Sequence, residues 1–289
     1  MEVKVQIVNA FVDGDHGGNP AGVVLDADSL TSEQKLQIAA QVGLSETAFV
    51  SRSALADFKL DFFTPAKQIP HCGHATIATF SYLQSLGRIP SAHTSKETID
   101  GSRQIWMRGE QAFMEQKPPQ YQSVPELEER IFQSLGISKD DLIEGKSPIV
   151  VNTGNSFLII PLQNQHILRE LKPQLAEIES ISQQLHLIGF YPFSLQTQRA
   201  QRDATTRMFG PLYGIPEESA TGMAAGPLAC YMHDIMSIKK DSYLIEQGYL
   251  MNPPSPSLIT VELEKNEGAI QKLMAGGKGI VMQQKTVVL

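Results

Sequence analysis

The 289-residue sequence is poor in the features that mark several broad protein classes. It has only two cysteines, Cys72 and Cys230, so a disulfide framework is not indicated. No apolar run reaches the roughly 20 residues that a membrane-spanning helix requires. The first residues lack the basic start and apolar run of a signal peptide. No basic cluster interrupts a net charge of −7, which argues against nucleic acid or an anionic membrane as partner. We therefore expect a cytoplasmic protein.

Cofactor motifs are also missing. The sequence contains no strand–Gly-x-Gly-x-x-Gly–helix unit, and the glycines near Asn19 are not followed by the lysine of a phosphate-binding loop. His71, Cys72 and His74 could suggest a metal, but structural zinc needs four ligands at a recognisable spacing and nothing completes the set. We therefore expect no nicotinamide, flavin, pyridoxal phosphate or metal dependence.

One stretch stands out by its lack of charge. Residues 72–86 contain no Asp, Glu, Lys or Arg, and Gly87 follows where a left-handed C-terminal cap is expected. A helix that is apolar or small on every side predicts burial rather than a surface position. Gly73 and His74 would lie in the first turn, whose N–H groups lack intrahelical acceptors and attract an anionic or carbonyl oxygen. We expect the central helix to span residues 73–86.

The second half of the chain repeats this pattern. Phe63 to Pro70 and Phe209 to Pro216 share Phe-x-Pro and Ile-Pro at a constant offset of 146 residues. A second uncharged stretch then predicts a helix over residues 221–235. The same order of motifs occurring twice suggests two related lobes, and strands alternating with uncharged helices predict an α+β fold. Pro118-Pro119 is the candidate linker between lobes 1–118 and 119–289, with the last strand, about 279–289, free to return to the first lobe.

A carboxylate on an apolar strand is the second informative feature. Leu44 to Val50 is predicted to be a strand, which places Glu46 on the same face as the apolar residues two positions before and after it. Such a carboxylate lies either at a solvent-exposed sheet edge, the commoner case, or faces inward for a functional purpose. Nearby, Thr31 and Gln34 predict a capping box for a helix that ends at Gly43. Ser123 is predicted to cap a helix through Leu135.

Four motifs together resemble one family. They are Ser-Glu-Thr-Ala-Phe-Val from Ser45, Phe-Thr-Pro from Phe63, Cys-Gly-His-Ala-Thr from Cys72, and Gly-Ile-Pro-Glu-Glu-Ser-Ala-Thr-Gly ending at Gly222. In this order they resemble the phenazine-biosynthesis PhzF-like isomerases, which share the fold of diaminopimelate epimerase. The resemblance implies two pseudo-symmetric lobes, each a curled, mostly antiparallel sheet round a central buried helix. It also implies a homodimer and a substrate site in the cleft between the lobes.

The resemblance assigns roles to individual residues. It implies a cofactor-independent isomerase that moves a proton on a small, carboxylate-bearing metabolite, with Glu46, His74 and Glu218 as the catalytic residues. The resemblance also implies that three further residues contact the substrate: Ser45, Gly73 and Gly222.

Departures from the family pattern keep a second interpretation open. Glu218 replaces an Asp that a proline follows in the family, and Met223 replaces a hydroxyl-bearing residue. A non-catalytic paralogue that binds a small metabolite on the same scaffold is therefore the alternative. Two-thiol racemisation is not expected, because Cys230 lies about two helical turns beyond the start of the second helix. Cys72 is interpreted as a small buried residue.

Overall fold

The structure is a computed structural model that describes all residues, Met1 to Leu289, and the chain forms two compact units. The first unit contains residues 1–115 and 276–289, and the second contains residues 116–275. The lobe boundary at Pro118-Pro119 stays a prediction. No helix combines the length and the apolar character needed to cross a membrane.

The first unit contains one sheet and two helices. In chain order its elements are β1 (Glu2–Ala10), β2 (Asn19–Val24), α1 (Ser32–Val42), β3 (Thr47–Ser51), β4 (Phe58–Phe63), β5 (Gln68–Ile69), α2 (Gly73–Ser85), β6 (His93–Thr98), β7 (Gly101–Arg108) and β8 (Gln111–Gln116). The strands follow the order β1-β2-β3-β4-β6-β7-β8, and β5 pairs with β4. Only β2–β3 and β4–β6 are parallel pairs among them.

Helix α2 is the buried centre of this unit. It has 13 residues, packs against β1, β2 and β3, and carries no charged residue. Two of its buried hydroxyl groups bond to carbonyls of the preceding turn: Thr76 Oγ1 donates to Cys72 O at 2.6 Å, and Thr79 Oγ1 donates to Ala75 O at 2.7 Å. Gly87 adopts φ of 66° just beyond its end. The predicted central helix is confirmed to within one residue of its predicted end.

The second unit has a comparable run of strands and a second buried helix. Its elements are β9 (Gln120–Ser123), α3 (Glu128–Leu135), β10 (Ile149–Asn152), β11 (Ser156–Leu162), α4 (Gln165–Arg169), α5 (Leu175–Leu185), β12 (Gly189–Ser194), β13 (Ala204–Thr206), α6 (Gly222–Asp234), β14 (Ser242–Gln247), β15 (Ser257–Asn266) and the first part of β16 (Ala269–Val288). The strand order is β9-β10-β11-β12-β13-β14-β15. The last part of β16 belongs to the first unit, where it pairs antiparallel with β1.

The two units repeat one arrangement, as the sequence motifs predict. Each has a parallel pair joined through helical segments, β2–β3 through α1 and β11–β12 through α4 and α5. Each has a second parallel pair, β4–β6 and β13–β14, whose connection contains the buried 13-residue helix. In the second unit α6 packs against β10, β11 and β15. The predicted α+β fold, with sheets round central helices, is confirmed.

Two predicted helix starts had different outcomes. The capping box is present: Gln34 N donates to Thr31 Oγ1 at 3.2 Å and Thr31 N donates to Gln34 Oε1 at 3.0 Å, and α1 is capped by Gly43 at φ of 73°. The predicted Ser123 cap is wrong, because Ser123 is the last residue of β9 and pairs with Ile149. Helix α3 begins five residues later, at Glu128, after a single 3₁₀ turn.

The capping box gives a stability prediction. Replacing Thr31→Ala leaves a first-turn N–H of α1 without its acceptor, so the free energy of unfolding should fall by about 1 kcal/mol. Thr31→Ser keeps the hydroxyl and should retain most of that stability. Urea unfolding of both variants and wild type measures the difference, and equal stability of the alanine and serine variants would contradict the role of the cap.

Candidate active site

Glu46 is placed by the junction between a loop and a buried strand. It immediately precedes β3, and its carbonyl accepts the N–H of Gly22 at 3.0 Å, which extends the β2–β3 pairing by one residue. The predicted strand over 44–50 therefore begins too early. Because Thr47 to Val50 are all buried, the alternation argument does not determine the orientation of Glu46. Its side chain is nevertheless only 13% exposed, so the inward-facing alternative is the observed one.

The side chains of Glu46, Cys72 and His74 lie together at the start of α2. His74 Nε2 is 3.3 Å from Glu46 Oε2, and His74 Nδ1 is 3.6 Å from Cys72 Sγ. Cys72 is the N-cap residue of α2, and His74 lies in its first turn. The contact to His74 lacks hydrogen-bond geometry, so the buried Glu46 Oε2 has no hydrogen bond. The imidazole thus stands between a thiol and a carboxylate.

A buried lysine lies behind this cluster. Lys96 is fully buried; its Nζ donates to Thr76 Oγ1 at 2.6 Å and is 3.1 Å from His71 Nδ1. Burial lowers the pKa of Lys96 to about 7, although the charge of Cys72 acts in the opposite direction. Burial, together with the positive charge of Lys96, also lowers the pKa of His71, to about 2. His71 therefore stays neutral and accepts a hydrogen bond from the Lys96 ammonium.

In the second unit, Glu218 lies in the loop that precedes α6. Its backbone N–H donates to Met208 O at 3.1 Å, and its carboxylate accepts the Thr221 hydroxyl. Gln247 holds this loop, because its Nε2 donates to Glu218 O at 2.8 Å and to Thr221 Oγ1 at 3.0 Å. Its Oε1 accepts the N–H of Thr221 at 3.0 Å and the hydroxyl of Tyr191 at 2.8 Å. Sequence reasoning missed Gln247, a fully buried strand residue that no motif marks.

The neighbouring Glu217 is paired with a buried arginine. Its carboxylate accepts two hydrogen bonds of 2.8 Å from the guanidinium of Arg207. The Arg207 side chain is only 10% exposed, so removing Glu217 would leave a buried charge without its partner. The ion pair of Glu217 with Arg207 therefore anchors the loop. The Glu218 carboxylate accepts the Thr221 hydroxyl instead.

The remaining predicted residues occupy both helix starts. Ser45 is exposed beside Glu46, and Gly73 is the buried first residue of α2. Gly222 is the buried first residue of α6, and its carbonyl accepts Gln116 Nε2 at 2.9 Å. The sulfur of Met223 accepts a hydrogen bond from Asn155 Nδ2 at 3.3 Å. The first unit thus brings Ser45, Glu46, Gly73 and His74 together, and the second brings Glu218 and Gly222 together; their roles stay predictions.

The two cysteines differ in position. Cys230 is fully buried in the middle of α6, where burial raises the pKa of its thiol far above the ordinary value. Cys72 instead belongs to a set with Glu46 and His74 whose ligand atoms all lie within 4.8 Å of one another. This set is the part of the site with the donor chemistry for a metal ion.

The repeated units, each with a buried central helix, have the fold of the PhzF and epimerase-like proteins. The model of the PhzC-PhzF family, described as "Phenazine biosynthesis-like protein", matches residues 8–285, and the chain belongs to this family. The crystal structure of a Bacillus anthracis phenazine biosynthesis protein of the PhzF family superposes with a TM-score of 0.91, at 27% identity over 100% of both chains.

Two curated relatives extend the comparison to activity. "Uncharacterized isomerase YddE" of Escherichia coli O157:H7 is 30% identical over 98% of this chain and 97% of its own length. The trans-2,3-dihydro-3-hydroxyanthranilate isomerase of Pseudomonas chlororaphis is 28% identical over 98% of each chain. These names support an isomerase activity for this chain.

The buried lysine predicts a pH-dependent stability. The pKa of Lys96 is about 7 in the folded protein, against the ordinary value of 10.5 for a lysine, so between these values the unfolded chain binds more protons. The contribution of Lys96 to the free energy of unfolding should therefore rise with pH from about 7 toward 10.5, and below pH 7 its unfavourable charge is fully present. Lys96→Met should lose this dependence.

Urea unfolding at pH 7, 8 and 9 measures this pH dependence as the difference in free energy of unfolding between wild type and Lys96→Met. The exposed Lys4→Met is the control, and its difference from wild type should stay flat. A flat difference for Lys96→Met as well would show that the buried amine keeps its ordinary affinity for protons.

Proposed function

We propose that this chain is a cofactor-independent isomerase that moves a proton by acid/base catalysis on a small, carboxylate-bearing metabolite. The observation that carries the proposal is the buried carboxylate of Glu46, which lies 3.3 Å from His74 at the N-terminal end of a buried helix. Its Oε2 has no hydrogen bond and can therefore accept a proton without first breaking one. The family membership and the isomerase names of the relatives support the same activity.

The start of α2 supplies the substrate-binding half of the proposal. The first N–H groups of a helix have no intrahelical acceptor, and the helix dipole adds a partial positive charge there. In this proposal the Gly73 end of α2 binds a carboxylate or a developing enolate oxygen, and His74 donates a hydrogen bond to the substrate. The Pseudomonas chlororaphis relative is named for a hydroxyanthranilate, which bears a carboxylate, and this supports a substrate of that class.

Glu46 then takes the proton and returns it. A single carboxylate can perform both steps when the substrate is held with two of its carbon atoms within reach of the same oxygen. One of these carbons loses the proton, and the other receives it. The proposed role of Glu218 as a partner or auxiliary acid rests on the family resemblance, as do the substrate contacts of Ser45, Gly73 and Gly222. The hydrogen bond from Thr221 keeps the Glu218 carboxylate in a fixed position, which suits either role.

A non-catalytic metabolite-binding protein is the second candidate. Met223 favours it, because a thioether that contacts Asn155 stands where the family has a hydroxyl group. Solvent deuterium distinguishes the two candidates. An isomerase should incorporate deuterium into its substrate or product in D₂O, with trans-2,3-dihydro-3-hydroxyanthranilate among the compounds tried, whereas a binding protein leaves every bound compound unlabelled.

Glu46→Gln is the decisive variant. Glutamine keeps the shape of the side chain but cannot accept the proton, so kcat should fall by at least ~10²-fold, the usual scale of general acid–base catalysis. Ligand affinity should change much less, because the helix start is intact. Glu33→Gln, an exposed position in α1, is the matched control and should keep wild-type turnover. Turnover by Glu46→Gln near the wild-type rate would refute the mechanism.

A homodimer is proposed on the family resemblance. Light scattering at several concentrations should give about twice the 31.8 kDa chain mass. A mass near that of one chain at every concentration would contradict the proposal.

A further inference from the structure

We propose that Glu46, Cys72 and His74 form a binding site for a thiophilic divalent cation of the Zn²⁺ class, and that the bound ion inhibits the enzyme. The binding part stands on the geometry alone, whereas the inhibition rests on the function proposed above for Glu46. The residues come from two places in the first unit, the loop before β3 and the N-terminal end of α2.

The chemistry of the three donors selects the kind of ion. A thiolate, an imidazole and a carboxylate are the ligands that Zn²⁺ and similar transition metals bind. Mg²⁺ and Ca²⁺ require sites built of oxygen atoms, which this set does not provide. One thiolate and one carboxylate also balance the two positive charges of the ion, so the complex can be buried without excess charge.

The distances are close to those of a coordination sphere. Bond lengths of about 2.0–2.3 Å in a tetrahedral zinc site separate neighbouring ligand atoms by roughly 3.4–3.6 Å. His74 Nδ1 lies 3.6 Å from Cys72 Sγ, and His74 Nε2 lies 3.3 Å from Glu46 Oε2, so the two contacts use different ring nitrogens. Only one nitrogen binds the ion, and with one ligand atom from each residue the three atoms lie within 4.8 Å of one another. Closing the set on an ion thus requires side-chain shifts of roughly 1 Å, the difference between these separations.

A second observation also points to a ligand at this place. Glu46 Oε2 is buried and has no hydrogen bond, which is a costly state for a carboxylate oxygen. A bound cation would satisfy it directly. Three protein ligands leave a fourth tetrahedral position open, as in zinc sites that keep an exchangeable water, so the ion would be able to enter and leave.

Inhibition follows from the use of Glu46. Coordination uses a lone pair of Glu46 Oε2 and lowers the basicity of the whole carboxylate, so Glu46 takes a proton from the substrate far less readily. The ion would also occupy the space in front of the first turn of α2, where the substrate oxygen is proposed to bind. The cation and the substrate should therefore compete.

Cobalt tests the site without any substrate. Co²⁺ replaces Zn²⁺ in such sites and gives a visible spectrum, with a thiolate-to-cobalt charge-transfer band when cysteine is a ligand. Titration of the purified wild-type protein should give this band at one equivalent per chain, and Zn²⁺ should displace it. Cys72→Ser should lose the band, and Glu46→Gln should keep it with at least ~10-fold weaker affinity, the lower end of the cost of losing a supporting ligand contact.

Cys230→Ala is the matched control, because it removes the other thiol and leaves the set intact; it should keep the band. Circular dichroism verifies that each variant is folded. A folded Cys230→Ala protein that keeps the band shows that Cys230 is not the thiol that binds the ion. No band in wild type, or a band that survives in Cys72→Ser, overturns the metal site. A band that depends on Cys72, in a protein whose turnover Zn²⁺ leaves unchanged, upholds the site and overturns the role of Glu46.

Discussion

The burial of a helix without charges is the constraint on which the first unit depends. A single lysine or glutamate in the middle of α2 would have to be desolvated, at a cost far greater than one helix contributes to stability. The hydroxyl groups of Thr76 and Thr79 avoid that cost by bonding to carbonyls of the preceding turn. Because β1, β2 and β3 pack against the helix, its N-terminal end is held in a fixed position. Glu46 and His74 meet at that end.

Two buried basic side chains near the start of α2 have lowered pKa values. Lys96 and His71 share a hydrogen bond in a buried place. Burial lowers the pKa of both side chains, and the positive charge of Lys96 lowers the pKa of His71 further. The donor chain from Lys96 through Thr76 to the carbonyl of Cys72 fixes the peptide that opens the helix. In the second unit the corresponding loop is fixed differently, by the single amide of Gln247 and the ion pair between Arg207 and Glu217.

Local sequence signals predicted what local physics determines. The uncharged run, Gly87 and the Thr31 capping box identify α2 and α1 because helix ends and burial depend on neighbours in the chain. The strand containing Glu46 was predicted to start too early, since its first residue is decided by pairing with Gly22 on another strand. Alternation could not orient Glu46, because β3 is buried on both faces.

The same distinction between local signals and contacts with distant parts of the chain applies to the site residues. Glu46 and His74 were found through motifs, and the motifs also contain Cys72, but the distances among the three arise only when the loop before β3 meets the start of α2. Lys96 and Gln247 had no sequence signal at all. Each is a polar residue whose partners come from distant parts of the chain, and a buried polar residue in a strand looks like a surface residue until the structure shows its neighbours.

The repeated arrangement of the two units has an evolutionary consequence. A chain that carries the same helix-in-sheet unit twice has two helix starts, and selection can act on one while the other keeps its architecture. The first start carries Cys72 and His74, whereas the second opens with Gly222 and Met223 and is held by Gln247 and by the ion pair between Arg207 and Glu217. Changes in the loop before α6 can thus accumulate while the arrangement of Glu46 and His74 in the first unit stays the same.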